Sequence, residues 1–268
     1  MRPGFLLALA WLALVALAAI GADRLPLPDP DEQSLLNMLA PPDATHWFGS
    51  DSLGRDVLSR TIHGFRVTLT VSVGSVAFAL VFGGALGICA GHFRGLTEGV
   101  TLAVVNVLLA FPPLVLIIAM VAYPGDPLLK VVLALGIVFT PAVVRIARAN
   151  TLTFAERDFV TAARAAGMSD ARLIWRELLP NLLPTMLAYG LVLIAIGALA
   201  EAALSFLGLS VPPPTPTLGQ MMAIEQTNVM EAPHAVFFPA GMLFLTIFAL
   251  NMVGEEVQRR VDGREGAA

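Results

Sequence analysis

Residues 162–180 read AARAAGMSDARLIWRELLP, a polar, arginine-bearing stretch in an otherwise strongly hydrophobic chain. Long apolar runs flank it on both sides, so it connects two segments that are able to cross a membrane. Gly167 lies where a helix would end in a left-handed turn, which glycine adopts without strain. The stretch therefore predicts two short helices joined at a glycine on the membrane surface, a shape that another protein can bind.

The residue types on either side of Gly167 fit this prediction. Residues 156–166 are good helix formers, and Ser169 or Asp170 can cap a second short helix over residues 171–178, which Pro180 ends or redirects. The alanines expose little side chain, so a partner's backbone can come close. Four arginines remain available for ion pairs, namely Arg157, Arg164, Arg172 and Arg176. The alternative is an ordinary juxtamembrane linker whose arginines only set the topology.

The composition excludes several classes of protein. Hydrophobic residues make up 57% of the chain and charged residues 13%, which leaves too little polar surface for a soluble domain of 268 residues. The net charge of -4 provides no basic patch for nucleic acid. The single cysteine, Cys89, lies in an apolar run and cannot form a disulfide within the chain. The chain is therefore predicted to be an all-α membrane protein.

Six apolar segments are long enough to cross the hydrocarbon core, which takes about 20 residues of helix. They cover approximately residues 4–22, 67–91, 100–122, 128–147, 182–209 and 235–254. The first segment has a rival interpretation as a cleavable signal peptide, because Arg2 precedes an apolar core and small residues follow it. Its length and the five later segments favour a retained helix.

The distribution of basic residues predicts the orientation. With the amino terminus inside, 11 basic residues fall on the inner side and 5 on the outer side. The inner set is Arg2, Arg94, Arg145, Arg148, Arg157, Arg164, Arg172, Arg176, Arg259, Arg260 and Arg264, and the outer set is Arg24, Arg55, Arg60, Arg66 and Lys130. We therefore expect both termini, and the stretch around Gly167, to lie in the cytoplasm.

The chain carries no recognisable apparatus for its own chemistry. It has no phosphate-binding Gly-x-x-x-x-Gly-Lys-Ser/Thr loop, and its four histidines show no metal-ligand spacing. Sequence motifs of intramembrane proteases and hydrolases are also missing. We therefore expect a subunit that is not an enzyme and holds no cofactor or metal, with energy supplied by another chain.

The stretch around Gly167 resembles the coupling loop of membrane subunits of binding-protein-dependent ABC importers. That pattern is Glu-Ala-Ala, three residues, Gly, nine residues, and Ile-x-Leu-Pro. Ala162, Ala163, Gly167, Leu179 and Pro180 fall at this spacing, whereas Thr161 replaces the family's Glu and Glu177 replaces its Ile. The resemblance implies that the ATPase-coupling residues are Thr161, Ala162, Ala163, Arg164, Gly167, Leu179 and Pro180.

Two further stretches are similar to the C-type subunit of dipeptide, oligopeptide and nickel permeases. Residues 46–60 read HWFGSDSLGRDVLSR, and residues 201–209 read EAALSFLGL before Pro212, Pro213, Pro216 and Gly219. The resemblance covers most of the chain from His46 onwards. It implies six transmembrane helices in the type I ABC importer (MetI-like) permease fold, which import dipeptides or oligopeptides.

The same resemblance implies partners and a location. The partners are a second, B-type permease subunit, two ATP-binding subunits or a fused ATPase that hold ATP and Mg, an extracytoplasmic substrate-binding protein, and membrane lipid. The location is the bacterial inner (plasma) membrane.

Nickel chelates, glutathione and opines are alternative cargoes. An ion-coupled secondary transporter, a channel and a membrane scaffold are the competing classes, and ATP dependence or co-purification with an ATPase distinguishes them.

The predicted organisation has three parts. Residues 1–66 hold the first transmembrane helix, an extracytoplasmic loop and an interfacial helix. Residues 67–254 form the permease core, with the coupling loop at residues 148–181, and residues 255–268 form a cytoplasmic tail. From the residues alone, the interfacial helix runs from Asp51 to Arg66, is capped by Asp51, and holds Arg55, Asp56 and Arg60 in the wet layer.

Candidate residues for a solute pathway or for receptor docking follow the fifth apolar segment. They are Glu201, Ser205, Phe206 and Pro213. A carboxylate inside an apolar run is costly, which favours a function or a buried partner for Glu201. The segment before it is long enough to carry Glu201 to the outer interface instead, where water would solvate it. Both interpretations remain open from the sequence.

Overall fold

The computed structural model describes residues 3–265, with side chains up to residue 261. Arg2, which entered the orientation prediction, and the last three residues of the predicted tail lie outside this described part. Arg264, which also entered that prediction, is described for its backbone alone. Within it the regular structure is helical, and the one β-bridge joins Ser50 to Asp56. The predicted all-α class is therefore confirmed.

The α-helices between residues 3 and 265 differ widely in length. In chain order they are α1 (Pro3–Ile20), α2 (Val57–Phe78), α3 (Gly84–Phe93), α4 (Gly95–Ala110), α5 (Pro113–Val121), α6 (Pro127–Ala155), α7 (Asp158–Ala165), α8 (Asp170–Leu173), α9 (Leu179–Phe206), α10 (Leu218–Glu225) and α11 (Pro233–Glu265). Short π-helical stretches at Ala79–Gly83 and Ile174–Leu178 join α2 to α3 and α8 to α9.

Five helical segments are long and apolar enough to span a membrane. They are Pro3–Ile20, Val57–Phe93, Pro127–Ala155, Asp170–Phe206 and Pro233–Val261. The remaining predicted span is broken into α4 and α5, which are bent by 87° and count as a sixth span if taken together. The break lies at Phe111, whose extended conformation (φ -85°, ψ 135°) is the one that a following proline favours. Pro112 thus ends α4.

The second span begins earlier in the chain than the sequence predicted. No separate interfacial helix starts at Asp51 in the described chain, because α2 starts at Val57 and continues into the span. The capping residue is Asp56, whose Oδ1 accepts the Ser59 backbone N–H at 2.6 Å. Asp51 instead accepts the N–H groups of Leu53 and Arg55, each at 2.9 Å, and closes a turn before the helix.

The chain packs as two compact units. Among the described residues, one consists of residues 3–73, 121–132 and 194–253. Its buried apolar cluster is made of Val15, Ala19, Phe65, Ala202, Leu218 and Leu243. Gly219 lets α10 lie directly on α9, since a Cβ there would overlap the carbonyl oxygen of Ala202. The indole N–H of Trp11 donates to the Thr246 hydroxyl at 3.1 Å and ties α1 to α11.

The other unit consists of residues 74–120, 133–193 and 254–265. Glycines four residues apart line the contact with α6. A Cβ at Gly83 would come within 3.0 Å of the Thr140 carbonyl oxygen, and one at Gly91 within 2.8 Å of Thr151 Cβ. Small residues allow membrane helices to approach this closely. These glycines of the second span therefore allow α6 to pack closely against it.

Candidate functional site

The stretch predicted to be a coupling loop, called the coupling loop below, bends at Gly167 as the sequence predicted. Helix α7 ends at Ala165, and Gly167 has a φ of 78°. The Gly167 N–H donates to the Arg164 carbonyl at 3.0 Å, and the Met168 N–H donates to the Ala163 carbonyl at 3.1 Å. These two bonds satisfy the last carbonyls of α7 in the Schellman arrangement, which needs a left-handed residue at the position of Gly167.

The second half of the coupling loop differs from the prediction of an isolated short helix. Helix α8, the π-helical stretch and α9 form one continuous helical segment, Asp170–Phe206, so Pro180 does not end a helix. The π-helical stretch Ile174–Leu178 directly precedes Pro180. Its wider hydrogen-bonding pattern relieves the clash that a proline ring has with an ordinary preceding turn. The second half of the loop is therefore continuous with the fifth span.

The side chains of the coupling loop divide into an exposed set and an anchoring set. Exposed are Thr161, Ala162, Arg164, Gly167 and Pro180, together with Arg172, Trp175 and Arg176. Ala163 and Leu179 are half-buried. Three fully buried side chains anchor the loop: Val160, Leu173 and Leu178. The arrangement presents small residues, an indole and several guanidinium groups on a firmly held backbone, which suits contact with a protein surface.

A histidine outside the predicted coupling residues also holds the coupling loop. His92, near the end of α3, has a nearly buried side chain, and its Nε2 lies 2.8 Å from Asp170 Oδ1 at the start of α8. Sequence reasoning missed this contact because the two residues are 78 positions apart and no local pattern links them. The pair fixes the start of the helical segment that leads into the fifth span.

The segment before α2 is a buried network of charges. Arg55 Nε donates to Asp51 Oδ2 at 2.7 Å, and Arg60 Nη1 lies 3.1 Å from Asp31 Oδ1. His46 Nδ1 lies 2.8 Å from Asp56 Oδ2. The expectation that Arg55, Asp56 and Arg60 lie in the wet layer is wrong, because all three are buried. Each of the three has an ion-pair partner within the fold instead, and this pairing offsets part of the free-energy cost of removing its charge from water.

The same network reaches α10. Glu225 is buried, and its Oε1 accepts the Ser52 hydroxyl at 2.6 Å and the Ser52 backbone N–H at 3.1 Å. His234 Nε2 lies 3.1 Å from the Ser50 carbonyl oxygen. Phe48 stacks on Phe238 with ring centroids 4.4 Å apart. Most of the residues 46–60 that carried the family resemblance are thus structural contacts.

Two exposed carboxylates in the same unit have altered pKa values. Hydrogen bonding from the Arg66 guanidinium, with Nη2 2.9 Å from Oδ2, is the main cause that lowers the pKa of Asp23. The backbone N–H of His46 and then the hydroxyl and N–H of Thr45 lower the pKa of Asp43. Both carboxylates are therefore firmly ionised near neutral pH, and they add negative charge to this loop region.

Glu201 is fully buried rather than exposed at an interface. Its Oε2 accepts the Thr68 hydroxyl at 2.6 Å, and its Oε1 accepts the Ser210 hydroxyl at 2.9 Å. It therefore links α9 to α2 and to the loop that follows α9. Solvation by water at the outer interface, one of the two interpretations open from the sequence, does not fit this burial.

The other three pathway or docking candidates lie in different surroundings. Ser205 is buried and hydrogen-bonds to Thr217. Phe206 is 42% exposed at the end of α9, and Pro213 is exposed in the loop before α10. The structure does not gather the four candidates into one site among the residues that it describes. A role for any of them in the pathway or in receptor docking stays a prediction.

The described residues offer little to a small polar ligand or a metal ion. A cavity of about 640 Å³ lies between α1, the following loop and α2, and its walls include Leu14, Trp47, Phe48, Ile62 and Phe65. Asp56 and Thr45 are the polar residues among its lining. Within residues 3–265, no three His, Cys, Asp or Glu side chains are placed to hold a metal ion.

The sequence pattern of one protein family matches the chain. The family is described as the inner membrane component of binding-protein-dependent transport systems, and the match covers residues 83–265. This range begins in the second span and includes the whole coupling loop.

Curated relatives cover most of the chain. It is 35% identical over 221 residues to the glutathione transport system permease protein GsiD of Pectobacterium atrosepticum, covering 82% of this chain and 73% of that one. It is 34% identical over 226 residues to the dipeptide transport system permease protein DppC of Alkalihalophilus pseudofirmus, covering 84% and 74% of the two chains.

A solved structure shares the fold. A chain of the MetNI methionine ABC transporter in an inward-facing conformation superimposes with a TM-score of 0.62. The match covers 75% of this chain and 96% of that one at 18% sequence identity. The MetI-like fold predicted from the sequence is therefore confirmed.

Proposed function

The chain belongs to the family of inner membrane components of binding-protein-dependent transport systems, and from this premise we propose that it imports short peptides with energy from separate ATPase subunits. It is a transmembrane permease subunit of an ABC importer, located in the inner membrane.

The proposed cargo is a dipeptide or another short peptide. The relatives include permeases named for dipeptide and for glutathione transport, and both solutes are short peptides with free carboxylates. Oligopeptides belong to the same chemical class. Nickel chelates and opines are the alternatives, because permeases with similar motifs handle them.

The proposed assembly contains four kinds of subunit. This chain pairs with a second, B-type permease, two ATP-binding subunits or a fused ATPase sit on the cytoplasmic side, and a substrate-binding protein delivers the solute from outside. The chain itself lacks a phosphate-binding loop, which supports the assignment of ATP and Mg to the partner subunits.

The exposed coupling loop is the observation that carries this proposal. Its exposed residues stand on a backbone fixed by the turn at Gly167 and by the buried anchors Val160, Leu173 and Leu178. The loop continues without a break into the 37-residue segment Asp170–Phe206. A push on the loop by ATPase subunits as they close on ATP is thereby passed to the fifth span. ATP would bias the outward and inward states through its unequal affinity for them.

Reversing one exposed charge on the coupling loop tests the proposal. We expect Arg164→Glu to reduce ATP-dependent dipeptide uptake by about tenfold in vesicles that hold the full complex, because a reversed charge at an interface opposes docking. Arg24→Glu is the matched control, since Arg24 is exposed outside the loop and should leave uptake unchanged. Equal uptake by both variants, or uptake by the unmodified complex without ATP, would contradict the proposal.

A further inference from the structure

An arginine on the surface of this chain lies well inside a membrane-length helix. Arg145 is exposed in α6, ten residues before the helix ends at Ala155, or about 15 Å along it. From the other end of the helix, Pro127, it is about 27 Å away. The helix is about 43 Å long, whereas a hydrocarbon core is about 30 Å thick, so Arg145 lies in the half of α6 nearer the coupling loop, in line with its place in the predicted inner set. An ionisable side chain on a membrane-length helix usually faces water or a polar partner.

The guanidinium of Arg145 is directed towards α4. Its Nη2 donates to Asn106 Oδ1 at 3.2 Å, and Asn106 is itself exposed, about 16 Å along α4 from Gly95. Side chains in a helix lean towards its amino terminus, so Arg145 leans towards Pro127 and away from the end that carries the coupling loop. The hydrogen bond to Asn106 thus holds the guanidinium beside α4.

Arg145 differs from the next arginine on the same helix. Arg148 forms an ion pair with Glu98 near the start of α4, so its charge is neutralised within the chain. Among the residues that the structure describes, no carboxylate pairs with Arg145, and Asn106 accepts one of its five N–H donors. The other four N–H donors of Arg145 and its positive charge are therefore available to bind a group that does not belong to this chain.

We propose that Arg145, held in place by Asn106, is a carboxylate-binding site on the solute pathway. A guanidinium presents two parallel N–H donors that match the two oxygens of a carboxylate, and every unmodified short peptide carries a carboxylate at its carboxyl terminus. Asn106 is a positioning residue, because its oxygen keeps the guanidinium between α4 and α6. This inference rests on the proposed peptide cargo and adds a residue that recognises it.

The test compares Arg145→Gln and Arg145→Lys in the full complex reconstituted in vesicles, with labelled alanylalanine as the probe. Arg145→Gln removes the charge and is expected to slow uptake about tenfold or more, with the complex still co-purifying. Arg145→Lys keeps the charge without the planar fork and should retain an intermediate rate. Arg24→Gln, an exposed arginine outside the membrane helices, is the control and should transport normally.

A second measurement locates the solute. A dipeptide with a photoreactive side chain should label α4 or α6 in the unmodified complex during ATP-driven uptake and should label them much less in Arg145→Gln. Normal uptake by Arg145→Gln overturns the site. Loss of co-purification in both Arg145 variants also overturns it, since the arginine would then be a contact to another subunit. Uptake that needs no ATP in the unmodified complex would instead overturn the proposed function.

Discussion

The carboxylate of Glu201 is buried in the interior of a membrane protein, where it accepts hydrogen bonds from two hydroxyl groups. Thr68 and Ser210 donate to its two oxygens, and the residue has no exposed surface. A buried polar group with its partners in place costs far less than one without them. We therefore regard Glu201 primarily as a link between α2, α9 and the following loop.

This view predicts different effects for two substitutions. Glu201→Ala leaves both hydroxyls without an acceptor and should lower the free energy of unfolding by about 1–3 kcal/mol. Glu201→Gln should cost much less, because its amide accepts from one hydroxyl and donates to the other. The thermal unfolding midpoint of the purified chain in detergent measures both. If Glu201→Gln keeps its midpoint but abolishes ATP-driven uptake, the pathway role anticipated from the sequence is correct instead.

At the scale of elements, the contact between His92 of α3 and Asp170 of α8 holds the second half of the coupling loop in place. The nearly buried His92 meets Asp170 at the start of the continuous helical segment that leads into the fifth span. Without that contact, α8 is held mainly by Leu173 and by its connection to α9. The contact should therefore matter for coupling more than for folding.

We expect Asp170→Ala to lower the amount of solute moved per ATP hydrolysed by about three- to tenfold, since a hydrogen bond to a buried group is lost. Asp170→Asn retains an oxygen acceptor for His92 and should stay near the unmodified ratio. Asp158→Ala provides a matched control, because Asp158 is an exposed acid in the first turn of α7. The account of the link fails if Asp170→Ala and Asp158→Ala give the same ratio in vesicles.

The sequence could predict those elements whose geometry depends on neighbouring residues alone. The turn at Gly167 was predictable because a positive φ and a helix end both favour glycine there. The start of α2 was not, because Asp51 and Asp56 are both able to cap a helix and only the fold makes Asp56 the one that does. The helix continues through Pro180 because a π-helical stretch precedes the proline, and no pattern of residues in the sequence predicts that stretch.

At the scale of the whole molecule, the number of apolar segments was predictable and their geometry was not. Hydropathy gave six segments, and the structure has five unbroken spans and the bent pair α4 and α5. Contacts between residues far apart in the chain were also beyond the sequence, such as Glu225 with Ser52 and Arg145 with Asn106. They arise only when segments far apart in the chain pack together.

We propose that ATPase subunits drive this permease from the cytoplasmic side by binding the coupling loop. The most direct measurement is the labelling of Ala162→Cys by a membrane-impermeant maleimide, in a Cys89→Ser background because Cys89 is the only native cysteine. We predict labelling in inside-out vesicles, slowed about tenfold or more when the ATPase subunits are present, since an interface core excludes solvent. Labelling in right-side-out vesicles, or a rate that the ATPase subunits do not change, would contradict the account.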